Sequence, residues 1–245
     1  MKKLKKLFIS TLPILITYIL TLLILILSAL IYHSLGYNNV DQFLSISPYI
    51  LIPVYLIITT ILIYKYNIKI KIFSIQKEKY FFYTSLGISI SIFFNMIIFK
   101  FFKTNQTVDS IKPIMNIISS GIIGPIYEEI LFRGIFYNKL LKFNSPKKSL
   151  IITTICFSLI HLSPIKMLYA LGLGYVFTKI YQQDNNILSP IIIHISANIT
   201  SIFLFEYNTY LLLFSLINLI LCINILNKKI SFEDVNNFGK CLKKI

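Results

Sequence analysis

Apolar residues along this chain fall into eight long blocks, 8–32, 46–64, 81–99, 113–139, 149–163, 166–181, 190–205 and 209–227, separated by short clusters rich in Lys, Asn and Ser. Runs of about 20 apolar residues cross a hydrocarbon core roughly 30 Å thick. The pattern therefore predicts an all-α polytopic membrane protein with about eight transmembrane helices, the short fifth and sixth forming a hairpin. The first block follows Met1-Lys2-Lys3-Leu4-Lys5-Lys6. Its apolar stretch exceeds the 7–15-residue core of a signal peptide, which predicts a retained helix. Ser145-Pro146 and Ser189-Pro190 each offer an N-cap serine with proline at the first helical position. Asp184-Asn185-Asn186 reads as a polar turn before the seventh helix. No internal repeat or linker is evident. The chain reads as a single membrane domain, with accessory helices 1–3 in 1–105, core helices 4–8 in 106–227 and a tail over 228–245.

Composition narrows the class. Of the 245 residues 56% are hydrophobic and 13% charged, with a mean hydropathy of +0.76, whereas soluble domains carry about 25% charged residues. A cytosolic enzyme, a disordered chain and a disulfide scaffold are excluded. Cys156, Cys222 and Cys241 are too few and too scattered for a disulfide framework or zinc cluster. The net charge of +15 comes from lysines lying between the apolar blocks. With a cytoplasmic N-terminus, 19 lysines fall on the inside and 4 on the outside. That bias predicts both termini in the cytoplasm and a lipid bilayer with anionic headgroups, not nucleic acid, as the basic surface's partner. Tryptophan is absent, so the 16 tyrosines supply any interfacial belt. The Ile-, Lys- and Asn-heavy composition points to an AT-rich bacterial genome and hence to a bacterial cell membrane.

Candidate chemistry begins in the fourth block. The first three contain no Asp, Glu, Lys or Arg, whereas the fourth reads Gly124-Pro125-Ile126-Tyr127-Glu128-Glu129-Ile130-Leu131-Phe132-Arg133-Gly134. An ionisable residue at the bilayer centre costs roughly 2.5–3.5 kcal/mol on insertion scales, and such residues face a bundle interior or a wet cavity. Arg133 is the single arginine among 24 basic residues, which points to a planar fork holding a carboxylate. Glu129 lies one turn before it on the same face, and Glu128 points about 100° away. Phe157 and His161 end the fifth block; His194 and Asn198, spaced i, i+4, lie in the seventh. Taken singly, each is also explained by a structural ion pair or a helix-to-helix hydrogen bond. Together they predict a polar site formed by helices 4, 5 and 7. Measured along the helices, Glu128 lies about 17 Å from Lys139 and His161 about 20 Å from Lys148. His194 and Asn198 follow Ser189 by only about 8 and 14 Å. The groups meet if the seventh helix starts below the membrane surface or the helices tilt.

In their order and spacing, Glu128-Glu129-xxx-Arg133, Phe157-xxx-His161 and His194-xxx-Asn198 resemble the CAAX protease and bacteriocin-processing family. This group, also called the Abi or type II CAAX prenyl endopeptidase family, consists of intramembrane endopeptidases, and the resemblance covers about residues 110–205. It implies that helices 4–8 form a protease core. Glu128 and His161 would activate a water for attack on a scissile carbonyl, and His194 and Asn198 would stabilise the oxyanion. Glu129, Arg133 and Phe157 would support the site structurally. A carboxylate withdrawn from water is a stronger base, and amide or imidazole donors aimed at developing negative charge are worth about 3–4 kcal/mol each. Members have been described both as metalloproteases and as glutamate-type proteases. Catalysis with no cofactor and a zinc site on Glu128, His161 and His194 are both consistent with these residues. Asn198, a poor zinc ligand and a good oxyanion donor, favours the former.

Two other classes fit the same scaffold: a non-catalytic immunity or binding protein, and a proton-coupled transporter. The transporter predicts inverted repeats, and no matching halves are found. Ser120-xxx-Gly124 and Ala170-xxx-Gly174 read as close-packing pairs, and His33 and Glu206 as interfacial residues. Ser158 and Ser196 lack a partner base and acid, and no phosphate-binding loop occurs. The expected substrate is a peptide or membrane protein, processed in bacteriocin or peptide maturation, self-immunity or signalling.

Overall fold

In a computed structural model the described residues, 2–70, 77–102, 114–204 and 206–229, form eight helices. They are α1 (Lys2–Ser34), α2 (Val40–Tyr66), α3 (Lys77–Phe102), α4 (114–141), α5 (Pro146–Leu159), α6 (Pro164–Asp184), α7 (Leu188–Ile202) and α8 (Thr209–Lys229). Each coincides with one predicted block. Lys71, Lys103, Lys112, Lys240, Lys243, Lys244, Cys241, the core's first residues 106–113 and most of the expected tail lie outside the described residues. Three helices are long and apolar enough to cross a membrane, over Lys5–Ser34, Val40–Tyr66 and Lys79–Phe102. α5 has 14 residues, about 21 Å of helix, short of a full crossing.

The fourth helix is central, and its second half is buried: Ile130, Leu131, Phe132, Phe136 and Tyr137 have no exposed surface. It is not one regular α-helix. Two π-helical stretches, Ser119–Ile123 and Ile130–Tyr137, flank the α-helical turn Gly124–Glu129. Pro125 accounts for the first, because it has no N–H and its ring crowds the preceding turn. Widening accommodates it: the N–H of Gly124 bonds to the carbonyl of Ser119, five residues back. The second stretch is braced by Asn138, whose amide nitrogen lies 3.1 Å from the carbonyl of Arg133 and 3.0 Å from that of Gly134.

α7 packs most intimately on α3. A Cβ at Gly87 would lie 2.1 Å from Ser196 Oγ and 2.4 Å from the carbonyl oxygen of Ile193, so the notch admits only glycine. Lys79, Tyr83, Gly87, Ser91 and Asn95 recur every four residues along α3, a row that tracks a crossing helix. At one end Lys79 Nζ lies 2.9 Å from Asp184 Oδ1, while the hydroxyls of Tyr83 and Ser189 both donate to Asp184 Oδ2. Further along, Ser201 Oγ donates to Asn95 Oδ1 and Tyr169 to Ser91 Oγ.

Of the two anticipated serine caps, one forms and one does not. Ser145 caps α5 as expected, accepting from the N–H of Lys148 at 3.4 Å. Ser189 does not cap α7: the helix begins at Leu188, whose N–H is taken by Asn186 Oδ1 at 3.1 Å. Asp184 claims the Ser189 hydroxyl instead. Asn186, Ile187 and Ser189 are all buried, so α7 starts inside the protein. This removes the depth mismatch between His194 and the residues of α4 and α5.

Candidate active site

Glu129 and Arg133 have fully buried side chains and pair at 2.8 Å. The expected two-bond fork on one carboxylate is not formed: a single guanidinium N–H reaches Glu129, and the other donors go elsewhere. Arg133 Nη1 donates to Glu129 Oε1, Nη2 to the carbonyl of Gly174 at 3.0 Å, and Nε to Thr178 Oγ1 at 3.3 Å. The guanidinium carbon lies 4.5 Å from the ring centre of Phe157 and 5.3 Å from that of Phe177. A buried cation is tolerated when its donors are matched and aromatic faces cover it. Gly174 makes this possible, since a Cβ there would come within 2.9 Å of Phe157 Cδ1.

His194 enters from α7 and joins the same carboxylate, with Nδ1 2.9 Å from Glu129 Oε1. That oxygen accepts from Arg133 as well, so the proton on this bond belongs to Nδ1. The other ring nitrogen, Nε2, faces Glu128 Oε2 at 3.8 Å. Glu128 keeps 23% of its side-chain surface exposed, against 4% for His194. The imidazole lies at a tilt over Phe177 at 4.6 Å and meets Phe157 edge-on at 5.8 Å, centre to centre.

Phe157 also carries His161, one turn further along. The two rings are 5.2 Å apart, and His161 Nδ1 donates to the carbonyl of Phe157 at 3.0 Å. That bond leaves Nε2 as the unengaged face of a half-buried ring. Asn198 sits one turn beyond His194 and gives one amide hydrogen to the carbonyl of Ser120 at 2.9 Å. Tyr127 stacks on Tyr55 of α2 at 4.8 Å and meets Tyr18 of α1 at 6.1 Å. The first two helices thus lie against α4 one residue away from Glu128.

The structure brings Glu128, Glu129, Arg133, Phe157 and His194 into one contiguous cluster, with His161 joined through Phe157 and Asn198 anchored on α4. Helices 4, 5 and 7 are not sufficient to build it, because α6 supplies Gly174, Phe177 and Thr178. A backbone carbonyl and a threonine carry little sequence signal. The Ala170-xxx-Gly174 pair, read as packing alone, was the available trace. Among the described residues no three His, Cys, Asp or Glu side chains gather as a metal site requires. Glu128, His161 and His194, the set named for the case that zinc is used, form no such group, although His194 and His161 each engage Nδ1 with an oxygen and leave Nε2 over, as zinc-bound histidines do.

Residues 110–200 match the family model described as type II CAAX prenyl endopeptidase Rce1-like. The chain is 33% identical over 98 residues to "Putative membrane peptidase YdiL" of Bacillus subtilis (strain 168), covering 39% of this chain and 40% of that protein. It is 31% identical over 80 residues to "UPF0177 protein YxdF" of Lactococcus lactis subsp. lactis (strain IL1403), covering 32% of this chain and 44% of that one. The match thus spans less than half the length of these curated relatives. No solved structure matches. The matched segment runs through α4 to α7 and contains every residue of the cluster, so over residues 110–200 the chain is similar to the Rce1-like type II CAAX prenyl endopeptidases.

Proposed function

We propose that this protein is an intramembrane endopeptidase that hydrolyses peptide bonds of peptides or membrane-protein substrates, with Glu128, His161, His194 and Asn198 as its catalytic residues. The observation that carries the reading is the pairing of Glu128 Oε2 with His194 Nε2 at 3.8 Å, beside a second carboxylate already neutralised by Arg133. A partly exposed base facing an oriented imidazole inside an apolar helix bundle suits activation of a water. The family match over the same residues supports it.

In the proposed reaction Glu128, assisted by His161, takes a proton from water as the water oxygen bonds to the scissile carbonyl carbon. The carbonyl electron pair moves onto oxygen, and this oxyanion accepts from His194 Nε2–H and from the second amide hydrogen of Asn198. Collapse of the tetrahedral intermediate breaks the C–N bond, and the proton held by Glu128 passes to the leaving nitrogen. With Nδ1–H committed to Glu129, donation from Nε2 as well needs a proton on both ring nitrogens. The reaction is written without a metal, so chelation leaves cleavage unchanged; loss on chelation with recovery on added zinc would overturn that part.

The lysine bias supports a bacterial cell membrane location with both termini in the cytoplasm, testable by reporter fusions at each end. Peptide or bacteriocin maturation, self-immunity and signalling are the roles this activity would serve. Purified wild type and Glu128→Gln are incubated with membrane-peptide substrates, and new termini are read by mass spectrometry. Cleavage by wild type alone is expected. Equal cleavage by both removes Glu128 from the mechanism, and a Glu128→Gln protein that keeps its cellular phenotype favours a non-catalytic binding role.

A further inference from the structure

Outside the Glu128 cluster, α5 and α6 leave a groove of about 480 Å³ between them, lined by Ile151, Thr154 and Ile155 on one side and by Leu171, Gly172 and Tyr175 on the other. That volume lies within the range of about 300–1,000 Å³ typical of small-molecule sites. Ile151, Ile155, Leu171 and Tyr175 stay exposed along its rims, and Leu159 and Leu168 carry the apolar track further along the hairpin. One polar atom is set into the wall. Thr17, Thr21 and Thr178 return their hydroxyls to a carbonyl of the preceding turn. The Thr154 hydroxyl is buried and meets no acceptor among the described residues. An unmatched hydroxyl is costly in an apolar setting, so it points to a ligand bearing an acceptor oxygen.

One end of the groove is basic. Gln182 Nε2 donates to the carbonyl of Pro146 at 3.1 Å, which sets the last turn of α6 beside the first turn of α5. Lys147 precedes Ile151 by one turn on the same helix face, and Lys179 follows Tyr175 by one turn. With Lys148 they make three cations at this end, and none forms an ion pair among the described residues. Asp184, the acid in the last turn of α6, is taken by Lys79. We propose that the α5–α6 groove binds one anionic diacyl phospholipid, with an acyl chain between the two helices, an ester carbonyl on Thr154 and the phosphate at Lys147, Lys148 and Lys179. Basic pockets between helices suit anionic headgroups, lysine stems lie along apolar surface while their charges reach outward, and the apolar track behind them suits a hydrocarbon chain. The site lies apart from the residues proposed for hydrolysis.

The test uses the full chain, delipidated in detergent, with phosphatidylglycerol, phosphatidylcholine of the same acyl chains and glycerol phosphate as probes. Native mass spectrometry and thermal unfolding are the readouts. One phosphatidylglycerol is expected to bind per chain and to raise the unfolding midpoint, while glycerol phosphate alone does neither. Replacing Lys147, Lys148 and Lys179 together by alanine is expected to weaken phosphatidylglycerol about 100-fold, about five-fold for each lysine near a membrane surface, and to bring it level with phosphatidylcholine. Ile151→Trp fills the groove from its exposed rim, so the lipid-free midpoint is expected to match wild type and the phosphatidylglycerol shift to vanish. Should Ile151→Trp not fold, Thr154→Val keeps the shape, removes the hydroxyl and is expected to weaken the lipid about five-fold, the worth of one hydrogen bond. Equal binding of the two lipids by wild type marks an unselective annular layer and overturns the proposal. So does a wild-type chain that binds no lipid, a shift with glycerol phosphate alone, or undiminished phosphatidylglycerol binding in the groove variant.

Discussion

His194 Nδ1 lies 2.9 Å from Glu129 Oε1, the oxygen that also receives the Arg133 guanidinium. The second glutamate of the motif is thus more than a counter-ion: it fixes the tautomer and tilt of the imidazole and turns Nε2 toward Glu128. Orientation by a buried carboxylate is a recurring way to hold a working histidine.

The two adjacent glutamates should therefore respond oppositely to the same change. Glu129→Gln leaves Arg133 buried without its anion, and breaking a buried pair costs about 3–5 kcal/mol. Glu128→Gln removes a partly exposed carboxylate and should leave stability within about 1 kcal/mol of wild type, while cleavage is lost. Thermal unfolding of both variants alongside the cleavage assay checks the contrast, and similar unfolding midpoints would refute it.

Arg133→Lys keeps the charge and loses the planar set of donors. One ammonium cannot serve Glu129, Gly174 and Thr178 from their present positions, and each buried group left unpaired costs about 1–3 kcal/mol. A lowered unfolding midpoint is expected, and a wild-type midpoint would show that charge alone suffices.

Gly87→Ala tests the contact between α3 and α7. The added carbon would meet the backbone oxygen of Ile193 at 2.4 Å, which cannot move without its helix. Overpacking of this kind costs about 1–3 kcal/mol. It should also displace His194 and Asn198, so kcat is expected to fall in whatever fraction stays folded. Unchanged kcat would mean that α7 is held elsewhere.

Asp184→Ala removes the acceptor shared by Tyr83 and Ser189 and the counter-ion of Lys79. Tyr83 and Ser189 are buried, and each hydroxyl left without an acceptor costs about 1–3 kcal/mol. Unfolding is expected at lower temperature, with Asp184→Asn less affected because it still accepts.

All eight helices could be read from the apolar blocks, since long runs need only length to declare themselves. Glu129 and Arg133 were legible as a pair because an i, i+4 spacing and a single arginine leave few partners. The joining of Glu129 to His194 was not, because register between helices 65 residues apart in the chain has no local signature. The π-helical turns escaped too: Pro125 signalled a disturbance, but not that the turn before it would widen to a bond spanning five residues. The contribution of α6 rests on the backbone of Gly174, which any residue would offer in sequence but only glycine allows in space. The four-residue recurrence of Lys79, Tyr83, Gly87, Ser91 and Asn95 was visible and lacked the cluster of charges that would have drawn attention to it.

The shortness of α5 bears on the surrounding lipid. Its 14 residues leave about 9 Å of a hydrocarbon core of about 30 Å uncovered. Were this helix to span the bilayer, hydrophobic mismatch would draw the lipid inward to meet it. Under the proposed hydrolysis such thinning would shorten the path of water to Glu128, and turnover is expected to rise in bilayers of shorter acyl chains and to fall in thicker ones.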